Sequence, residues 1–160
     1  MEWLIVCVII TAITFVLLSW GKRAELGEEP SYRLRKHFLT PAERSFYGVL
    51  EGAVAGRFKV HTMVRVADVL QPAGSRNRCQ WQSAFNRISS KHFDYVLCDP
   101  ETLEVKAAIE LNDSSHLEER RRARDDFLYR ACESAGFKLL FFEAKAKYSV
   151  QQIKERLDGI

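Results

Sequence analysis

The chain has 160 residues, 47% of them hydrophobic, and a formal net charge of +3 at pH 7. That length fits about one domain with an ordinary core, and so small a net charge identifies no partner by itself. Cys7, Cys79, Cys98 and Cys132 are scattered with no CxxC pair; this excludes a disulfide framework or a thiolate zinc site and fits reduced, cytosolic thiols.

The apolar residues are concentrated at the start. Trp3 to Trp20, "WLIVCVIITAITFVLLSW", carries no charge, with Thr11, Thr14 and Ser19 as polar breaks. At about 1.5 Å rise per residue such a helix crosses most of a hydrocarbon core, and a Trp at each end suits the interfacial belts. The opening Met1-Glu2 lacks the basic region of a cleaved signal, and Leu18-Ser19-Trp20-Gly21 lacks its cleavage site. An uncleaved transmembrane anchor over 3–20 is therefore expected. A buried core helix is the competing reading, disfavoured because such a helix rarely runs this long without one polar face. Glu2 before the run and Lys22 and Arg23 after it place the C-terminal side in the cytoplasm. Residues 21–36, with glycines, a proline and mixed charge, read as a tether, and 37–160 as the folded domain.

That domain opens at "LTPAER", where Thr40, Pro41 and Glu43 have the spacing of a capping box with proline at the first helical position. Phe46, Tyr47, Val49, Leu50 and Val54 continue at helical spacing. Phe58, Val60, Thr62 and Val64 alternate, predicting a strand over Arg57 to Leu70. After the "QPAGSRN" loop, Arg78 to His92 predicts a polar helix with Trp81, Phe85 and Ile88 facing inward. Strands follow over Phe93 to Asp99 and Leu103 to Asn112, joined at "DPET". A charged helix from about Leu117 to Ala135 ends at Gly136. "FKLLFFEA" then reads as a fully buried strand and "SVQQIKERL" as a closing helix with a second capping box at Ser149 and Gln152. The order predicts an α/β fold: a mixed sheet with one hairpin and a strand-helix-strand crossover, flanked by helices.

A hairpin turning about Glu101 to Leu103 sets opposite each other residues whose numbers sum to roughly 204, which pairs Asp94 with Glu110 on one face. Two carboxylates at one spot repel unless a cation lies between them, and Mg²⁺ takes one or two carboxylates plus water and phosphate oxygens. Val105, Ala107, Ile109 and Leu111 form the apolar side of that strand, leaving Glu110 and Asn112 on the other. The strand's end, just before the helix start near His116, is where crossover folds commonly hold ligands.

"RISSKHFDYVLCD" (Arg87 to Asp99) followed by "AIELNDSSH" (Ala108 to His116) and a charged helix closely resembles bacterial domain-of-unknown-function family 2726, grouped with the PD-(D/E)XK nuclease-like superfamily. The resemblance spans about Phe38 to Glu143. It implies a restriction-endonuclease-like core of helix, three strands, helix and strand, the order already read from periodicity. It places Asp94 at the first acidic position, Glu110 at the second and Glu43 at the acid sometimes found on the first helix, all three as ligands of Mg²⁺ or Mn²⁺. Asn112 stands where the superfamily usually has Lys; it brings no positive charge, though its amide can orient water or ligate a metal. His116 resembles a histidine of very-short-patch-repair-like and helicase-associated members that handles a proton, and Lys91 is the candidate replacement cation.

Bland readings stand beside these. Asp113, Ser114 or Ser115 makes a good helix N-cap, so His116 is equally explained as the helix start. Lys91 and Arg87 are ordinary helix-end charges. In "EERRRARDD", Glu118–Arg122, Arg121–Asp125 and Arg122–Asp126 are i,i+4 pairs, which favours an exposed salt-bridged helix over a phosphate-binding one. The expectation is a Mg²⁺-dependent nuclease at a bacterial inner membrane, single-pass, with its C-terminal domain cytoplasmic and nucleic acid, DNA in preference to RNA, as partner. The alternative is an inactive module of the same fold that binds nucleic acid or a protein partner, and a membrane protein with no ligand is a third. Oligomeric state is not legible.

Overall fold

The computed structural model describes residues 1–24, 30–74, 77–112 and 118–160, the side chains of 2, 5, 18–24 and 118–122 excepted. The chain divides into two compact units, Met1–Phe38 and Leu39–Ile160.

The first unit holds helix α1, Glu2–Ala24. Its apolar side chains are bare: Trp3, Leu4 and Phe15 are 84%, 72% and 75% exposed. Thr11 Oγ1 donates to the Cys7 carbonyl at 3.0 Å and Thr14 Oγ1 to the Ile10 carbonyl at 2.9 Å, so the polar breaks are satisfied within the helix itself. Among the described residues no helix is long and apolar enough to cross a membrane, which differs from the expectation of a transmembrane helix.

The second unit opens with α2, Pro41–Val54. Its capping box is complete: Glu43 N donates to Thr40 Oγ1 at 3.3 Å, and Thr40 N to Glu43 Oε2 at 2.7 Å. Strand β1, Lys59–Arg65, gives way at once to a single turn, α3, Val66–Val69. The strand expected over Arg57 to Leu70 is thus cut short at Arg65. Met63 takes a left-handed φ of 53°, and the Val66 amide donates to the Lys91 carbonyl at 2.8 Å, which turns the chain so that Val66 and Leu70 enter the core together.

Helix α4, Arg78–Ser89, starts on Asn77, whose side chain accepts from the Cys79 amide. Of its three expected inward residues only Ile88 is buried; Trp81 is 37% exposed and stacks on Phe85 with ring centroids 5.2 Å apart. Only the last turn of α4 reaches the core. Strands β2, His92–Cys98, and β3, Val105–Asn112, form the hairpin. Helix α5, Glu118–Ser134, ends at Gly136 with φ 65°, a conformation glycine adopts without strain. Strand β4, Lys138–Glu143, and α6, Val150–Leu157, complete the unit, with Ser149 Oγ accepting from the Gln152 amide.

The sheet order is β1-β2-β3-β4, antiparallel at the first two pairings and parallel at β3/β4. Tyr95 faces Ile109, Val96 faces Ala108 and Leu97 faces Ala107, the expected register, up to a shift between Leu97 and Cys98. As an edge strand β4 is only partly buried, with Phe142 its buried residue, so the fully buried strand expected there is corrected. Helices cover both faces. Phe46 and Leu50 of α2 and Ile153 and Leu157 of α6 pack on Tyr95, Leu97 and Ile109. Leu128 and Cys132 of α5, with Val66 and Ile88, pack on Phe93, Val96 and Ala108. Each fully buried Leu or Ile contributes about 1.5–3 kcal/mol.

Candidate functional site

At the C-terminal end of β3 the polar residues collect. The β2/β3 register, continued one pair beyond Tyr95 and Ile109, sets Asp94 opposite Glu110. Asp94 Oδ2 accepts from the Leu111 amide at 2.8 Å, which fixes its carboxylate against β3. Glu110 is completely buried. Its Oε2 accepts from Arg124 of α5, while its Oε1 has no hydrogen-bond partner among the described residues. Buried carboxylates without full pairing are costly, so the proton is held instead. Burial foremost, then the charge of Asp94, pushes the Glu110 carboxyl up to about 8, against the opposing pull of Arg124. Asp94 is also raised, first by burial, with Glu43 and Asp125 adding to it and the Leu111 amide and Arg124 opposing.

Above these groups lies a cleft of about 400 Å³ lined by Thr40, Glu43, Asp94, Asn112, Arg124 and Ala144, among others. The capping box that starts α2 also places Glu43 at the cleft, and the Tyr95 hydroxyl donates to the Glu43 carbonyl at 2.6 Å, tying that helix start to the sheet. The Glu43 carboxylate itself is turned onto the Thr40 amide. Asn112 ends β3 opposite Glu143, with its carbonyl accepting from the Ala144 amide at 2.7 Å.

Lys91 lies elsewhere. Its Nζ donates to the Arg87 carbonyl at 2.7 Å and sits 5.2 Å from the Phe127 ring centroid, and it is not among the residues lining the cleft. His116, with Asp113, Ser114 and Ser115, falls outside the described residues. Among the described residues no group of three or more His, Cys, Asp or Glu side chains is placed to hold a metal ion. What the structure brings together is a carboxylate pair in which Asp94 lines the cleft with Glu43 and Asn112, while Glu110 lies fully buried beside it and is not among the cleft's walls.

Arg124, which the sequence pattern assigns with Arg120, Arg121 and Arg122 to an exposed salt-bridged helix, instead reaches Glu110 and lines the cleft. It has no acidic residue at i±4, unlike its neighbours Arg121 and Arg122, and it falls on the Arg124, Leu128, Cys132 stripe at fourfold spacing. Leu128 and Cys132 are both fully buried, so that stripe faces the sheet. An arginine on the inward stripe of a charged helix is the signal that could have found it.

Fold and site define a mixed α/β domain whose two buried or half-buried acids meet beside the end of a parallel crossover. The model of the family described as Protein of unknown function (DUF2726) matches residues 35–160, and the chain belongs to that family. No curated protein and no solved structure matches it. The family resemblance is thereby shown, while the PD-(D/E)XK superfamily is not reached by these matches.

Proposed function

We propose that residues 39–160 form a PD-(D/E)XK nuclease-like domain that hydrolyses phosphodiesters of nucleic acid with Mg²⁺ or Mn²⁺ held by Asp94 and Glu110. The observation that carries this reading is the buried Oε1 of Glu110, without a hydrogen-bond partner among the described residues and directly across the strand pair from Asp94. A hard divalent ion uses one or two carboxylates and completes its shell with water and phosphate oxygens, so two acids suffice. Bound there, the ion would lower the pKa of a coordinated water and offset charge on the phosphate. DNA is the preferred substrate over RNA in this reading, on the resemblance alone.

The remaining roles fall to the chain itself. Arg124 is half-exposed at the cleft and carries the positive charge that Asn112 lacks; with donors to spare beyond Glu110, it can reach a phosphate oxygen. The Asn112 amide can orient a water. Glu43, committed to its capping box, adds negative potential rather than a ligand. His116 is proposed from the sequence as the proton-handling group. Helix α1 serves as a membrane tether in this reading, with the domain on the cytoplasmic face of a bacterial inner membrane. Its support is the bare apolar side chains, the internally bonded threonines and the Lys22-Arg23 flank.

A second reading, a non-catalytic module that binds nucleic acid or a protein partner, is favoured by one observation, the Asn112 amide where a catalytic cation is usual. Cleavage of single- and double-stranded DNA and RNA by the purified full chain with Mg²⁺ or Mn²⁺ separates the two. The nuclease reading expects cleavage that Glu110→Ala abolishes. Inactive wild type, or cleavage undiminished in Glu110→Ala, contradicts it. Cleavage that appears only in Asn112→Lys assigns the binding-module reading.

A further inference from the structure

A second cleft, of about 360 Å³, adjoins the first and shares Asn112 with it; Glu143, Lys145, Lys147, Tyr148 and Arg156 are among its other walls. Its charge is opposite to that of the carboxylate cleft, with three cations against the single carboxylate of Glu143. That carboxylate neutralises little. It is 82% exposed and stands 3.9 Å from Lys145 Nζ, itself 61% exposed, and such surface pairs are worth at most about 1 kcal/mol.

The cations are carried on a braced frame. The Tyr148 hydroxyl accepts from the Lys145 amide at 2.9 Å, and the Tyr148 ring meets Phe46 of the core with centroids 5.0 Å apart. The segment between β4 and α6 that bears Lys145 and Lys147 is therefore pinned to the core through α2. Arg156 lies 4.2 Å over the Phe142 ring centroid, a cation–π contact that holds its guanidinium at the wall. Placed cations in a concave site favour an anion, and arginine with lysine favours phosphate.

We propose that this basic cleft is a phosphate-binding subsite: it holds one backbone phosphate of a nucleic-acid strand while another phosphodiester of the same strand lies at Asp94 and Glu110. The proposal rests on the nuclease-like reading for its substrate and adds the residues that seat the strand. Asn112, at the end of β3 and common to both clefts, marks the crossing point of the strand from the basic cleft to the acidic one.

The test is anisotropy of a short fluorescein-labelled DNA strand with the full chain in EDTA across a salt series. The double variant Lys145→Gln, Lys147→Gln is compared with a control of equal charge, Lys59→Gln, Lys106→Gln. Because each lost phosphate contact removes about 0.7 from the slope of log K against log salt on a single strand, the cleft variant should bind roughly tenfold more weakly at low salt, with the slope reduced by about 0.7 for the one phosphate lost. The control should stay within about twofold of wild type. Three results overturn the proposal: no binding by wild type, a cleft variant no weaker than the control, or a cleft variant that loses only affinity for phosphatidylglycerol vesicles. Binding needs no cleavage, so a lysine-dependent complex from an inactive protein sustains the subsite while the nuclease reading fails.

Discussion

A carboxylate enclosed as fully as Glu110 costs free energy whenever it is charged, and its titration exposes that cost. Its pKa stands near 8 in the folded chain against an ordinary 4.5. Between those values the native state keeps a proton that the unfolded chain has lost, so metal-free stability should fall as pH rises through that window. Asp94 is shifted in the same direction. Replacing Glu110 with Gln should flatten the fall and stabilise the metal-free protein at pH 8 by roughly 1–3 kcal/mol; thermal melts across the pH range check this, and an unchanged profile contradicts it. Arg124→Met removes the cation that opposes the shift. It should raise the Glu110 pKa further and cost roughly 1–2 kcal/mol, less than for a fully buried pair because Arg124 is 45% exposed.

Short-range patterns made most of the elements legible in the sequence. The capping box at Thr40, the hairpin register and the glycine that ends α5 each depend on residues a few positions apart, or on one turn, and each is found in the structure. Thr40→Ala should cost about 1 kcal/mol by removing the hydroxyl that caps the Glu43 amide, while the Glu43 carboxylate keeps its bond to the backbone amide of residue 40. What was not legible depends on distant neighbours. Helical spacing cannot tell that only the last turn of α4 meets the core: it points Trp81 and Phe85 inward, whereas Trp81 is exposed and stacks on a half-buried Phe85. Nor does an apolar run show that β4 lies at an edge, or a charged helix that Arg124 reaches across to Glu110. Urea denaturation separates the α4 residues: Ile88→Ala should cost about 2–4 kcal/mol and Trp81→Ala under about 1 kcal/mol. Equal losses would show that Trp81 is held more tightly than its exposure implies.

The two units make separate demands. If α1 tethers the chain, the full-length protein should pellet with membranes and resist carbonate extraction, while a chain beginning near Ser31 should not; recovery of the full chain without detergent in the soluble fraction sinks the tether. The folded unit carries two adjoining clefts of opposite charge, and the assignment of the acidic one to a divalent ion is the point on which the functional account turns. Calorimetric titration of the metal-free full chain with Mn²⁺ at pH 7 tests it most directly. The account predicts one saturable ion, uptake accompanied by release of about one proton, because Glu110 must ionise to bind, and at least about tenfold weaker binding in both Asp94→Asn and Glu110→Gln. Absence of saturable binding, or binding with the same affinity and no proton release in both variants, would contradict it.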